Sequence, residues 1–327
     1  MNGLVVAADG GNSKTDLVVA EAGGAVLARV AGAGTHPVDE GVGATADGLV
    51  ELTRRALAQA GLAPDSPLRA GAFYLANVDL ADERAAMTDA LATRGLADRL
   101  VVENDTLAVL RAGSSAGWGI AVVSGAGINA VGRAADGRIE RFLGLGPVTG
   151  DWGGGWAVAV AGIGAAVRAG DGRGPATSLR RLVRETFGAD AEPVAVAVHR
   201  RELPVERVLG FGPVVFAAAT AGDQVACGVV RRLGDEVVGY VEALSRRLGE
   251  PAVEVVLGGG ALQAGNPVLD GWIRDRVAAV VPGAVVRVLD VPPVAGALAA
   301  ALKLAGVDAS TSRARAALRT VPTAAAT

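Results

Sequence analysis

The chain has 327 residues, beyond the roughly 250 to 300 at which a single hydrophobic core stops growing, so two domains are expected. Its net charge of -3, from 31 basic and 34 acidic residues without long like-charge runs, excludes the electrostatic footprint of a protein that binds nucleic acid or an anionic membrane. One cysteine, Cys227, excludes an internal disulfide and any Cys-rich metal cage, and with no signal-like segment around Leu4 to Ala8 it points to a reducing cytoplasm. The longest uncharged stretch, Ala112 to Gly132, is broken by six glycines and reads poorly as a membrane span. A small-molecule partner is the expectation that remains.

Taken in order, Leu4–Ala8 reads as a strand, Asp9-Gly10-Gly11-Asn12-Ser13-Lys14-Thr15 as a polar turn, and Leu17–Ala20 as the returning strand. Ala25–Val30 completes a three-stranded meander, and a helix is predicted over Asp39–Ala60. Strand Arg69–Ala76, helix Asp82–Arg94, strand Leu100–Val102 and helix Thr106–Ala112 follow, an alternation that implies parallel pairing. Gly113-Ser114-Ser115 is read as a hinge.

The same order then repeats. Ile120–Val123, the turn Ser124-Gly125-Ala126-Gly127-Ile128-Asn129, Ala130–Arg133 and Arg138–Leu143 form a second meander. Strand Val253–Leu257, Gly258-Gly259-Gly260, helix Pro267–Val281, strand Ala284–Leu289 and helix Val294–Ala305 complete the copy. Helices are expected from Trp152 to Arg247, including a long one over about Gln224–Leu248. The predicted domains are 1–113 and 114–306, with 307–327 read as a disordered tail. An internal duplication is more specific than any one glycine motif.

The chemistry lies at the turns. Ser13-Lys14-Thr15 lacks the glycine a P-loop needs before its lysine, and a strand rather than a helix follows. His36 and His199 are the only histidines, which leaves little for a His-dependent hydrolase. Gly-rich hairpins are common for conformational reasons alone. Two of them at equivalent places in a repeat, with Ser13, Thr15 and Ser124 beside glycines, would instead form facing nests of N–H groups suited to phosphates. Asp9, ending the first strand, is placed to hold Mg2+ there or to form an Asx turn. Asp105 follows a parallel strand, where an acid faces a ligand crevice and can accept a hydroxyl proton, although Asp before a helix also serves as an N-cap. The glycine-framed Gly150-Asp151-Trp152 loop and Gly258-Gly259-Gly260 both permit close backbone approach to a ligand.

With these residues in place, the chain resembles the BadF/BadG/BcrA/BcrD ATPase family and, within it, the N-acetylglucosamine kinase branch of the sugar kinase and actin-like ATPase superfamily. The segment Asp9 to Thr15 looks like its first phosphate motif, Ser124 to Asn129 like its second, and Gly258 to Gly260 like its adenosine motif. Gly222-Asp223 is similar to the pair before the family's long helix, Asn104-Asp105 to the segment with its catalytic aspartate, and Gly150-Asp151 to the pair in its sugar site. The resemblance implies an α/β architecture, a duplicated actin-like ATPase (ribonuclease H-like) fold of two domains, each with a mixed five-stranded sheet and flanking helices. It also implies ATP and Mg2+ as cofactors, a cytoplasmic homodimer, and no nucleic-acid or membrane partner. His36 stands where the family has a sugar-binding asparagine, Asn77 where a glycine is usual, and Trp152 where glutamate is common.

The expected function is therefore an ATP-dependent carbohydrate kinase acting on an amino sugar such as N-acetylglucosamine or glucosamine, at the 6-hydroxyl. Asp105 is the expected base and Asp9 the metal ligand. Gly10, Gly11, Asn12, Ser13, Lys14, Thr15, Ser124, Gly125, Ala126, Gly127, Gly222, Gly258, Gly259 and Gly260 are assigned to the nucleotide. Thr35, His36, Asn77, Asn104, Asp105, Asn129, Gly150 and Asp151 are assigned to the acceptor. The competing readings are a kinase for another hexose or a cyclitol, an ATPase that activates a partner enzyme, and a sugar-binding regulator. A single cysteine argues against a cysteine-bridged cluster in the second, and a strand starting at residue 4 leaves no room for the third's DNA-binding helices.

Overall fold

The computed structural model describes residues 3–250, 253–307 and 311–319. It divides into two compact units, one running to Trp118 and resuming at Leu289, the other comprising Gly119–Val288. In the first, β1 (Leu4–Gly10), β2 (Lys14–Glu21) and β3 (Val26–Ala33) form the meander. Helix α1 (Val42–Gln59), β4 (Leu68–Leu75), α2 (Ala81–Thr93), β5 (Leu100–Asn104) and α3 (Thr106–Gly113) follow. The sheet order is β3-β2-β1-β4-β5, with β1 antiparallel to β2 and parallel to β4.

Strand β1 reads Leu-Val-Val-Ala-Ala because both of its faces are covered. Val6 and Ala8 join Leu17, Val19, Leu49, Leu57, Phe73, Met87 and Leu91 in a core under α1 and α2. The opposite face of the sheet, from β1 to β4, is covered by a helix from the far end of the chain, α12 below. Helix α1 starts three residues later than Asp39, because the N–H groups of Asp39 and Glu40 close a turn onto the His36 carbonyl and Gly41 takes φ +88°.

The second unit repeats the plan with β6 (Gly119–Ser124), β7 (Ile128–Arg133) and β8 (Ile139–Arg141). Helices α4 (Gly154–Gly170), α5 (Leu179–Phe187), α6 (Ala191–His199), α7 (Val205–Leu209), α8 (Gly212–Thr220) and α9 (Gln224–Leu248) are inserted. Strand β9 (Glu254–Gly258), α10 (Gly260–Gln263), α11 (Pro267–Val280) and β10 (Val285–Val288) complete it. Its order, β10-β9-β6-β7-β8, is the first sheet's order read backwards, so the predicted duplication is present strand for strand. Among the described residues, no single helix is long and apolar enough to cross a membrane.

Two boundaries differ from expectation. The change of unit falls at Trp118, after the predicted hinge, because Ser114 is buried, donates to the Trp118 carbonyl at 2.8 Å and accepts from the Gly117 N–H at 3.0 Å. The chain also returns to the first unit at Leu289, and α12 (Val294–Leu304) packs on α3, β1 and β4. Nor is the predicted tail wholly irregular. Thr311–Arg319 forms α13, with Ala314 and Leu318 buried one turn apart, while the rest of 308–327 lies outside the described residues.

Helix α12 can sit so close to α3 only because Gly296 has no side chain, since a Cβ there would lie 2.2 Å from the Ala108 carbonyl oxygen and 2.9 Å from the Ala112 nitrogen. Both obstacles are backbone, which cannot rotate away. Gly296→Ala is expected to cost about 1 to 3 kcal/mol of overpacking, read as a lower urea midpoint with unchanged slope. A midpoint within error of wild type would mean that α12 does not hold this position.

Candidate functional site

In the first unit, register brings the chemistry to one edge. Gly10 pairs with Leu75 and Leu75 with Asn104, so β1, β4 and β5 end level, and Asp9, Asn77, Asp79 and Asp105 all lie at their carboxyl ends. Ligand crevices of parallel sheets open there. Asp105 occupies the N-cap position of α3, yet its carboxylate makes no capping hydrogen bond. Asn104 does the local work instead, its Oδ1 accepting from the Thr106 N–H at 3.1 Å and from the Thr106 hydroxyl, and its Nδ2 donating to Asp79 Oδ1 at 2.9 Å. Asn104 is therefore spent on orienting its neighbours, and the Asp105 carboxylate is left uncommitted by the cap.

Burial, then the charge of Asp79, pushes the Asp105 carboxyl up to about 7, with the N–H groups of Thr106 and Asp105 itself pulling the other way. Asp9 is held well above the ordinary carboxylate range, first by burial and then by Asp105 and Asp16, while Lys14 opposes the shift. Asp16 is paired with Arg29 through three side-chain hydrogen bonds, at 2.5, 3.0 and 3.2 Å. No Lys or Arg forms an ion pair with Asp9 among the described residues. Two half-buried carboxylates at one edge thus form no ion pair with a protein cation among the described residues.

The β1–β2 hairpin is closed by the Gly11 N–H to the Lys14 carbonyl at 2.9 Å, which leaves Asn12, Ser13 and Lys14 exposed at its tip. Thr15 and Thr35 are buried and differ from expectation. The Thr15 hydroxyl donates to the Ala33 carbonyl at 2.6 Å and the Thr35 hydroxyl to the Gly10 carbonyl at 3.1 Å, so neither has its proton free for a ligand. Both brace the hairpin. Asn77, assigned from the sequence to the acceptor, turns its amide onto the hairpin, donating to Asn12 Oδ1 and to the Thr35 carbonyl. His36 is half-buried at the start of the turn before α1.

In the second unit, the turn Gly125-Ala126-Gly127 joins β6 to β7. The start of α4 is docked on it, because the Gly155 N–H donates to the Gly125 carbonyl at 2.7 Å and the Trp156 N–H to the Ala126 carbonyl at 3.2 Å. With two of its carbonyls engaged, the turn's N–H groups at Gly125, Ala126 and Gly127 donate to no loop carbonyl among the described residues. Gly154, at φ +76°, would place a Cβ 2.3 Å from the Ala126 oxygen. Gly259, at φ +85° after β9 and Gly258, would place one 2.5 Å from the Ser124 carbonyl. Gly260 then opens α10. Ser124 is fully buried and its hydroxyl has no partner. A buried unpaired hydroxyl beside an open N–H turn fits a phosphate oxygen.

The Asp151 carboxylate is held by the Tyr240 hydroxyl at 2.5 Å on one oxygen and by the Thr149 hydroxyl on the other. Trp152 lies under the Arg232 guanidinium, 3.9 Å from its ring centre. Burial raises the Glu236 carboxyl, and Arg232 opposes the shift while Asp151 adds to it. Arg232, Glu236 and Tyr240 form an i, i+4, i+8 stripe on α9, of which Arg232 and Tyr240 hold the Gly150–Trp152 loop. None of the three was singled out from the sequence, although their helical spacing on the predicted long helix was the available signal. Asn129 Oδ1 accepts from the Ala130 N–H at 2.7 Å, and Gly150 takes φ +84° before Asp151.

Gly222, at φ +92°, precedes Asp223, whose carboxylate accepts from Thr177, Ser178, Val225 and Ala226. One Asp223 oxygen caps α9 and the other accepts from Thr177 and Ser178, which holds its carboxyl at about 2 despite opposing burial. It is a structural latch. Cys227 is buried with its thiol on the Ala219 carbonyl.

Among known proteins, the chain is 27% identical over 198 residues to an N-acetylmuramic acid/N-acetylglucosamine kinase of Clostridium acetobutylicum, a match covering 60% of this chain and 65% of the relative. It is 22% identical to an N-acetyl-D-glucosamine kinase of Dictyostelium discoideum, over 80% of this chain and 86% of the relative. Its fold is similar to that of a Chromobacterium violaceum protein provisionally named an N-acetylglucosamine kinase, with a TM-score of 0.71, 22% identity, and coverage of 93% and 99% of the two chains. The BadF/BadG/BcrA/BcrD ATPase family matches residues 7–303, so with nearly its whole length in register the chain belongs to that family.

Proposed function

We propose that this protein is an ATP-dependent kinase that transfers the γ-phosphoryl group to a hydroxyl of an amino sugar, with the 6-hydroxyl of N-acetylglucosamine or glucosamine as the first candidate. The observation that carries this reading is Asp105, a carboxylate at the carboxyl end of a parallel strand, free of its helix cap and raised to about 7. A base with that affinity can take a hydroxyl proton near neutral pH. The names of the two kinase relatives support the substrate class, and N-acetylmuramic acid joins it as an acceptor to be tried.

The residues fit the implied cofactor. Ser124 and the N–H groups of Gly125 to Gly127 offer donors without acceptors, and Asp9 offers a carboxylate without an ion-pair partner among the described residues. No group of three or more acidic, His or Cys side chains forms a metal cage among the described residues, which suits a cation held by one carboxylate plus phosphates and water. When bound, ATP with Mg2+ supplies the phosphoryl group and a cation to pair with the Asp9 carboxylate. Asp105 would remove the acceptor's proton as the new O–P bond forms and the bond from the γ-phosphorus to the departing ADP breaks, and Ser124 with its turn would hold phosphate oxygens. Asp151, fixed by Tyr240 and Thr149, orients the acceptor, and a homodimer is proposed as the assembled state.

A coupled ADP-release screen over glucose, glucosamine, N-acetylglucosamine, mannosamine and N-acetylmuramic acid tests the reading, which predicts release with at least one amino sugar and fails if none supports it. Asp105→Asn should lower kcat by about 10²- to 10⁴-fold. The same variant should melt no lower than wild type at pH 8, because a carboxylate whose folded pKa is raised is disfavoured once ionised. In wild type, kcat/KM should climb about tenfold per pH unit to a plateau above about 7, and Asp79→Asn should move that limb to lower pH by removing the charge that raises Asp105. A limb that stays in place in Asp79→Asn contradicts this assignment.

Ser124→Ala separates folding from binding. Removing an unpaired buried hydroxyl relieves a desolvation cost of about 1 to 3 kcal/mol, so the variant should be at least as stable as wild type. Its affinity for ATP should nevertheless fall. Unchanged ATP affinity would remove Ser124 from the phosphate site.

A further inference from the structure

Asn77 is one of two non-glycine residues with positive φ among the described residues, at φ +60° in the turn after β4. Asparagine tolerates this conformation better than most side chains, but glycine tolerates it without strain, so a specific contact is needed to explain its use. The contact is present. Both hydrogens of the Asn77 amide are spent, one on Asn12 Oδ1 at 2.7 Å and one on the Thr35 carbonyl at 3.0 Å.

These two acceptors belong to the two segments that shape the first hairpin. Asn12 stands at its exposed tip, and Thr35 follows β3 with its N–H on the Gly11 carbonyl at 3.0 Å and its hydroxyl on the Gly10 carbonyl. Between them the chains are in backbone contact, since a Cβ on Gly34 would lie 2.1 Å from the Asn12 carbonyl oxygen. The Ala76 N–H also reaches the Gly10 carbonyl, at 2.7 Å. The base of the hairpin is thus tied by backbone bonds and threonine hydroxyls, whereas its tip is tied by one side chain.

We propose that Asn77 is a positioning residue for the nucleotide phosphates, which fixes the tip of the Gly11–Lys14 hairpin through Asn12 and the Thr35 loop and is not a ligand of the acceptor sugar. The inference rests on the reading of this hairpin as a phosphate-binding element. Asn77 acts through Asn12, so the two side chains form one device. An exposed tip held in one conformation before ATP arrives has less entropy to lose on binding. The same turn continues to Asp79, which Asn104 holds beside Asp105, so one short segment braces both the hairpin and the base.

The test is calorimetric titration of the full chain with the non-hydrolysable analogue AMPPNP and Mg2+, without any sugar. Asn77→Gly removes the clasp while suiting the positive φ, and should weaken binding by about three- to tenfold, as expected for one or two neutral hydrogen bonds. Asn12→Ala should weaken it to a similar extent, and the double variant no further than either single one. Melting temperatures should stay near wild type. Asn77→Asp, which keeps the size and the tolerance of positive φ but has no N–H to donate, should repeat the loss and guards against a loosened turn. Wild-type affinity in Asn77→Gly and Asn77→Asp, with a raised KM for the acceptor, would overturn the proposal and return Asn77 to the acceptor pocket. Additive losses in the double variant would overturn it as well. A wild type that binds AMPPNP but releases no ADP with any sugar would count against the kinase reading alone, and one that binds no nucleotide would remove both.

Discussion

The rest of this structure depends on keeping two carboxylates, Asp9 and Asp105, close together at the edge of a parallel sheet, partly withdrawn from water and without an ion pair to a cation of the protein's own. Burial is the larger part of what raises both carboxyls, to which Asp105 adds at Asp9 and Asp79 adds at Asp105. A fold selected for stability alone would replace such groups with neutral ones. Their presence fits the proposed ligand, which brings positive charge, and a reaction that needs a proton acceptor near neutrality.

The same trade recurs in the second unit. A buried serine hydroxyl without a partner, a turn with two carbonyls consumed by a helix start while its N–H groups stay open, and glycines where any Cβ would strike backbone all cost stability. Each makes sense if a phosphate completes the set. Elsewhere the fold is conservative. Asp223 satisfies five donors with one carboxylate, and α12 closes against α3 at a glycine contact.

Much of the architecture was legible because strand and helix periods, glycine turns and the internal repeat pointed to one topology, and the two sheets match strand for strand. Asp105 was legible as an acid after a parallel strand, but whether it capped α3 was not, since that depends on which of two adjacent side chains, Asn104 or Asp105, turns inward. Thr15, Thr35 and Asn77 carry groups that suit a ligand, and only tertiary placement reveals that their donors are spent on the hairpin. The stripe Arg232, Glu236, Tyr240 escaped notice because its partners on the Gly150–Trp152 loop are some 80 or more residues away in sequence. The return of α12 to the first unit escaped for the same reason, and the helix over Thr311–Arg319 because alanines give a faint apolar stripe.

The most direct measurement is ³¹P NMR of the purified protein mixed with ATP, Mg2+ and N-acetylglucosamine, extended to the other amino sugars if the first is inert. The account predicts a sugar phosphomonoester resonance growing in step with ADP, and its absence when Asp105 is replaced by asparagine. Inorganic phosphate as the only product beside ADP with every sugar would contradict it, because Asp105 would then be activating water and the chain would be an ATPase without a sugar acceptor.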